Sequence, residues 1–131
     1  MIDKEKIIEY WRSHAEYDLE TAQSMQTVGR YPYCLYMCHL AIEKILKGIV
    51  VEVTDDHAPY THDLIALGEL TDIVFSDDQK ELLVAVNEFN MEARYPDWKD
   101  TFYKLATQEF TERYLSASKE LYLWLSNYLK K

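Results

Sequence analysis

Only three glycines and three prolines interrupt this chain of 131 residues, and that scarcity constrains the fold more than any other feature. Sandwiches and barrels of short strands need frequent turns, and Gly and Pro supply much of the backbone geometry those turns require. A chain this poor in both is left with long, uninterrupted elements. Its apolar residues recur every three or four positions, which is the helical repeat. Ile8, Trp11, Ala15, Leu19, Ala22 and Met25 mark a first helix over about Asp3–Val28. Gly29 offers a left-handed cap, and Pro32 suits the first turn of a second helix over about Pro32–Val53. That helix carries a broad apolar face with Leu35, Cys38, Ala41, Ile42, Ile45 and Leu46, so it should be central and heavily buried. Its polar strip is narrow, consisting of Glu43, Lys44 and Lys47, and Gly48 marks a close helix–helix approach.

A polar loop follows over Thr54–Thr61, then a short helix over about His62–Asp72. Ser76 and Gln79 have the spacing of a capping box and open a medium helix. Pro96 disfavours helical geometry at Tyr95, so that helix should stop near Arg94. One last long helix runs from about Thr101 to Leu129. The expectation is a single domain over residues 1–131, an all-α, antiparallel up-and-down bundle with three long helices, one medium and one short.

The net charge of −9 argues against non-specific coating of nucleic acid or anionic membrane. The acidity is concentrated, however. Residues 54–88 hold nine acidic side chains and one basic, whereas residues 89–131 hold six acidic and seven basic. The acidic middle reads as a solvated face or as a surface for a basic partner, and a local phosphate site elsewhere stays open. The longest apolar run, Tyr33–Cys38, is six residues, against the ~18 needed for a membrane span. The amino terminus lacks the apolar stretch of a secretory signal. A cytoplasmic protein with no membrane partner is expected.

Gly29, Gly48 and Gly68 are too far apart to build a phosphate-binding loop, and no Gly-x-Ser-x-Gly elbow occurs. No His has a Glu three residues before it, so the di-iron pattern of helical bundles is missing. Cys34, Cys38 and His39 are zinc-ligand types without an evident fourth ligand, and they read better as two buried thiols and a neighbour. Neither metal nor cofactor is expected. Glu43 and Lys47 are spaced i, i+4 and form either a solvated pair or, with Lys44, the edge of an anion site. His62, in Thr61-His62-Asp63-Leu64 at a helix start, either holds the preceding loop or acts chemically. Arg94-Tyr95-Pro96-Asp97 lies at a helix break, where an Arg can grip phosphate in bidentate fashion and a Tyr can stack on a base. The alternative is an Arg–Asp bridge that pins the turn.

Taken in order and spacing, these pieces resemble the HEPN (higher eukaryotes and prokaryotes nucleotide-binding) domain family over nearly the whole chain. The resemblance rests on Trp11, Ala15, Asp18, Leu19 and Ala22, then Gly29 and Tyr31. It continues through Cys38-His39-Leu40-Ala41-Ile42-Glu43-Lys44 with Lys47, Thr61-His62-Asp63-Leu64 and Ala93-Arg94-Tyr95-Pro96-Asp97. It implies an all-helical bundle, a homodimer, and a functional pairing with a minimal nucleotidyltransferase, often as toxin and antitoxin. Ribonuclease members of the family carry an Arg, then four to six intervening residues, then a His. Here the candidate positions are Lys99, Asp100 and Thr101, and no His occurs beyond His62. The leading expectation is therefore a module that binds a nucleotide or polynucleotide phosphate. Arg94 would hold the phosphate, Asp97 would orient Arg94, Tyr95 would stack on a base or pack the turn, and Lys44, Lys47 and His62 would stand on the same rim. Two alternatives remain. One is a metal-independent endoribonuclease using Arg94 and His62. The other is a purely structural dimerisation partner.

Overall fold

In the computed structural model, which describes residues 2–90 and 96–129, the described residues form six helices and no strand. The helices are α1 (Lys4–Thr27), α2 (Tyr31–Thr54), α3 (Leu64–Glu69), α4 (Asp77–Asn87), α5 (Pro96–Leu105) and α6 (Gln108–Ser126). Asp3 caps α1, its side chain accepting from Lys6 N. Gly29 then takes a left-handed φ of 81°, and Pro32 sits in the first turn of α2. Both helices therefore keep the bounds expected from periodicity to within a residue or two.

Polar contacts give the helix directions. Lys4 Nζ lies 2.6 Å from Asp55 and 3.6 Å from Glu52, so the start of α1 meets the end of α2 and the two run antiparallel. Gln26 donates to Glu112 and Lys119 to Gln23, which makes α1 antiparallel to α6 as well. Phe75, two residues before α4, packs on Trp124, while Phe89, two residues beyond it, packs on Phe110 and Tyr114, so α4 runs against α6. The up-and-down bundle follows. At its centre α2 buries Leu35, Ile42, Ile45, Leu46 and Ile49 almost completely. Gly48 allows the close approach expected of it. A Cβ there would lie 3.3 Å from Leu129 Cδ1 and 3.4 Å from Trp11 Cβ, tighter than side chains usually pack.

Three boundaries differ from the periodicity. The short helix starts only at Leu64, because Asp63 caps it by accepting from Ile65 N and Ala66 N. It ends where the Thr71 hydroxyl donates to Gly68 O and Asp72 turns left-handed at φ 63°. The medium helix carries the capping box of Ser76 and Gln79 but ends at Asn87 rather than near Arg94. Its last turn tightens, with Phe89 N donating to Val86 O, and turns the Phe89 ring into the core.

The expected last long helix is two helices. Thr107 breaks it by capping α6, its hydroxyl accepting from Phe110 N. The cause is aromatic packing around Phe89, whose ring centre lies 5.6 Å from Phe102 and 6.1 Å from Phe110. Residues eight apart on a straight helix are displaced by about 12 Å along its axis. A bend between them brings both rings onto one partner.

Candidate functional site

Three ionisable residues interrupt the apolar face of α2 at four-residue intervals: His39, Glu43 and Lys47. One side of a helix repeats at that interval, so the three form a polar seam, and all three are buried. The i, i+4 pair, expected either as a solvated pair or with Lys44 at the edge of an anion site, is instead enclosed. The Lys47 and Glu43 side chains are 6% and 4% exposed, and Lys47 Nζ donates to Glu43 Oε2 at 3.0 Å. The Lys47 ammonium also lies 5.2 Å from the centre of the Trp11 ring on α1, so the cation meets an aromatic face as well as a carboxylate.

The fourth member comes from the loop between α2 and α3. His62 Nδ1 lies 3.0 Å from Glu43 Oε1 and 3.1 Å from Oε2, nineteen residues away in sequence. Its backbone is fixed from both sides. The Thr61 hydroxyl accepts from Asp63 N, and Asp63 caps α3 while accepting from Asn87 Nδ2. Asn87 Oδ1 in turn accepts from Leu64 N, tying the start of α3 to the end of α4. The ring itself is 41% exposed. With Nδ1 turned inward to the carboxylate, Nε2 is the nitrogen left to meet a ligand. Tyr60, almost fully exposed, stands edge-on to His62 at 5.7 Å between ring centres.

On the inner side, His39 Nδ1 lies 3.2 Å from Val86 O, and its Nε2 lies 3.3 Å from Glu43 Oε1. Glu43 is thus the hub for one ammonium and two imidazoles. Burial pushes its carboxyl upward, but the neighbouring His39 ring, the hydrogen bonds from Lys47 and His62 and the Lys47 charge outweigh that, holding it at about 2 against an ordinary 4.5. The hub is a carboxylate throughout the physiological range.

The other residues marked in the sequence are distributed differently. Lys44 does not join Lys47 and His62. Its ammonium pairs with the buried Asp18 of α1 at 2.7 Å. Asp97 is exposed in the first turn of α5, where its carbonyl accepts from the Thr101 hydroxyl. Arg94 and Tyr95 lie outside the described residues. Cys34 and Cys38 are buried and free, as the apolar pattern implied. The Cys38 thiol is held well above its ordinary value by the hydrogen bond with Cys34 and by burial, which keeps it from acting as a thiolate. Motif reading raises His39 only as a zinc-ligand type, leaves Tyr60 unmarked, and gives Glu43 no site role beyond its pairing with Lys47. The available signal was the 39/43/47 spacing, which places titratable groups inside an apolar stripe rather than beside it.

A profile of the HEPN domain family matches residues 8–128. Among solved structures, TT1696 from Thermus thermophilus superposes with a TM-score of 0.78 at 19% identity, covering 93% of this chain and 98% of that one. At that identity the likeness speaks for the fold. No curated protein matches the sequence.

Glu43 makes a defined contribution to acid stability. A carboxyl held below its unfolded value stabilises the fold above that value and loses the contribution as pH falls through the folded one. Urea titrations should therefore show the wild-type protein losing stability between pH 4.5 and about 2 more steeply than Glu43→Gln does. Parallel losses in the two proteins would contradict the proposed hub. With the profile matched over nearly its whole length and the helical bundle in place, the chain belongs to the HEPN domain family.

Proposed function

We propose that this HEPN protein binds a nucleotide or polynucleotide phosphate, and that it acts as a cytoplasmic homodimer paired with a minimal nucleotidyltransferase in a toxin–antitoxin-like system. The observation that carries the binding part is the Glu43-held His62. Its half-exposed ring turns Nε2 away from the carboxylate, the exposed Tyr60 ring lies beside it, and the Lys47 ammonium stands behind it. One carboxylate faces three basic groups, so protonating His62 gives the cluster net positive charge at the surface. An imidazolium there donates to a phosphate oxygen, and a neighbouring Tyr ring offers a face to a base. Arg94 supplies the second phosphate contact, with Asp97 orienting it and Tyr95 stacking or packing the turn. Lys47 strengthens the field from behind without touching the ligand, and Lys44 serves the α1–α2 contact through Asp18.

Calorimetric titration with ATP and with a short oligouridylate tests this reading. Each of His62→Ala and Arg94→Ala should weaken binding about tenfold, the size of a lost charge-assisted hydrogen bond. Affinity unchanged in both variants would refute the site.

The Glu43–His62 pair also favours a second reading, a metal-independent endoribonuclease. A carboxylate that accepts a hydrogen bond from the Nδ1–H of a histidine fixes the ring and leaves Nε2 as the base, and such a base can take the proton of a 2′-hydroxyl. Arg94 would hold the scissile phosphate. His62 would then do the work of the histidine missing after Arg94. In the presence of chelator, cleavage of single-stranded RNA should fall at least about 100-fold in His62→Ala. Undiminished cleavage by that variant would dismiss His62 as the base.

A further inference from the structure

A second surface lies on the α3–α4 side of the bundle and uses none of the residues of the Glu43 cluster. The turn from α3 into α4 encloses a groove of ≈ 500 Å³. Ile65 and Ile73 form its walls, with Phe75 and the buried Leu83 beneath, and Val74 and Val84 stand on its lip. Gly68 helps keep it open, since a Cβ there would reach 3.4 Å from the Phe75 ring and extend into the same space. Val74 is 92% exposed and Val84 56%, so two branched apolar side chains meet water at one recess.

The groove itself is lined by one carboxylate, Glu69, and one ammonium, Lys80, and the excess of acid lies on the exposed positions beside it. On the α4 surface Asp77 and Glu81 precede Val84 at helical spacing, both exposed, and Asp72 sits exposed at the left-handed turn between Gly68 and Ile73. An apolar slot with an acidic rim is complementary to a helix that presents small aliphatic anchors in a stripe flanked by Lys and Arg. It is complementary neither to a nucleic acid nor to an acidic segment.

We infer that the α3–α4 groove docks a basic amphipathic helix of a protein partner, with aliphatic anchors between Val74 and Val84 and with Lys or Arg side chains on Glu69, Asp72 and Glu81. This inference is independent of the phosphate site, because its residues lie on other elements than Glu43, Lys47 and His62.

Fluorescence anisotropy with a labelled Lys/Leu amphipathic peptide tests it. A Glu/Leu counterpart and a Lys/Gln peptide of equal charge but without an apolar face serve as controls. The Lys/Leu peptide should bind with an affinity that falls as salt rises, and both controls should fail. The neutral double variant Val74→Ser/Val84→Ser, confined to exposed positions, should weaken binding about tenfold through lost apolar contact. Glu69→Lys/Glu81→Lys should weaken it at least as much. Binding that persists in the serine variant, or equal binding of the Lys/Gln peptide, would overturn the groove in favour of diffuse charge attraction. Sedimentation showing that the serine variant turns a dimer into a monomer would also overturn it, by identifying the occupant as a second copy of this chain.

Discussion

One buried carboxylate organises the centre of this molecule. Glu43 sits within the apolar face of α2, where an unpaired charge would be costly to bury. Lys47 from the same helix, His62 from the following loop and His39 against the backbone of α4 surround it. Such clusters contribute little net stability compared with apolar packing of the same volume, because desolvation offsets most of the attraction. What this one contributes is placement. It links α2 to α4 through His39 and Val86 O, sets Lys47 against Trp11 of α1, and fixes the ring orientation of a surface histidine. The Asp63–Asn87–Leu64 hydrogen bonds hold the backbone that carries this histidine, so ring and backbone are positioned by separate contacts.

The bundle was largely legible in the sequence because its determinants are local. Apolar spacing, Gly29, Pro32, the Ser76–Gln79 box and the shortage of other turn residues all act within a few positions of the chain. Two of the differing boundaries, the break at Thr107 and the end of the medium helix, depend on distant contacts, whereas both ends of the short helix are set by local caps. Nothing near Thr107 forbids a continuous helix. The break follows from Phe102 and Phe110 both reaching Phe89, a residue from another element. Likewise, the medium helix stops at Asn87 because Phe89 turns inward to meet that aromatic group.

The site was legible only in pieces. His62, Lys47 and Lys44 stood out as residue types, yet one-dimensional spacing could not tell which carboxylate each would meet. Lys44 and Lys47 are three positions apart and were placed on one rim, but the α1 surface sends Lys44 to Asp18 while Lys47 turns to Glu43. The Glu43–Lys47 pair has the spacing of an ordinary surface pair. Only its position among the buried apolar residues Ile42, Ile45 and Leu46 distinguishes a buried hub from a solvated one. Nineteen residues separate His62 from Glu43, and only the fold closes that distance.

Both readings of the site depend on Glu43 fixing the His62 ring with Nδ1 inward and Nε2 available. Nitrogen-15 NMR of the histidine side chains measures which ring nitrogen carries the proton. In the wild-type protein the neutral His62 ring should be protonated at Nδ1 and bare at Nε2, and Glu43→Gln should shift it toward the Nε2-protonated form. A wild-type ring already protonated at Nε2, or a His62 spectrum that Glu43→Gln leaves unmoved, would contradict that dependence.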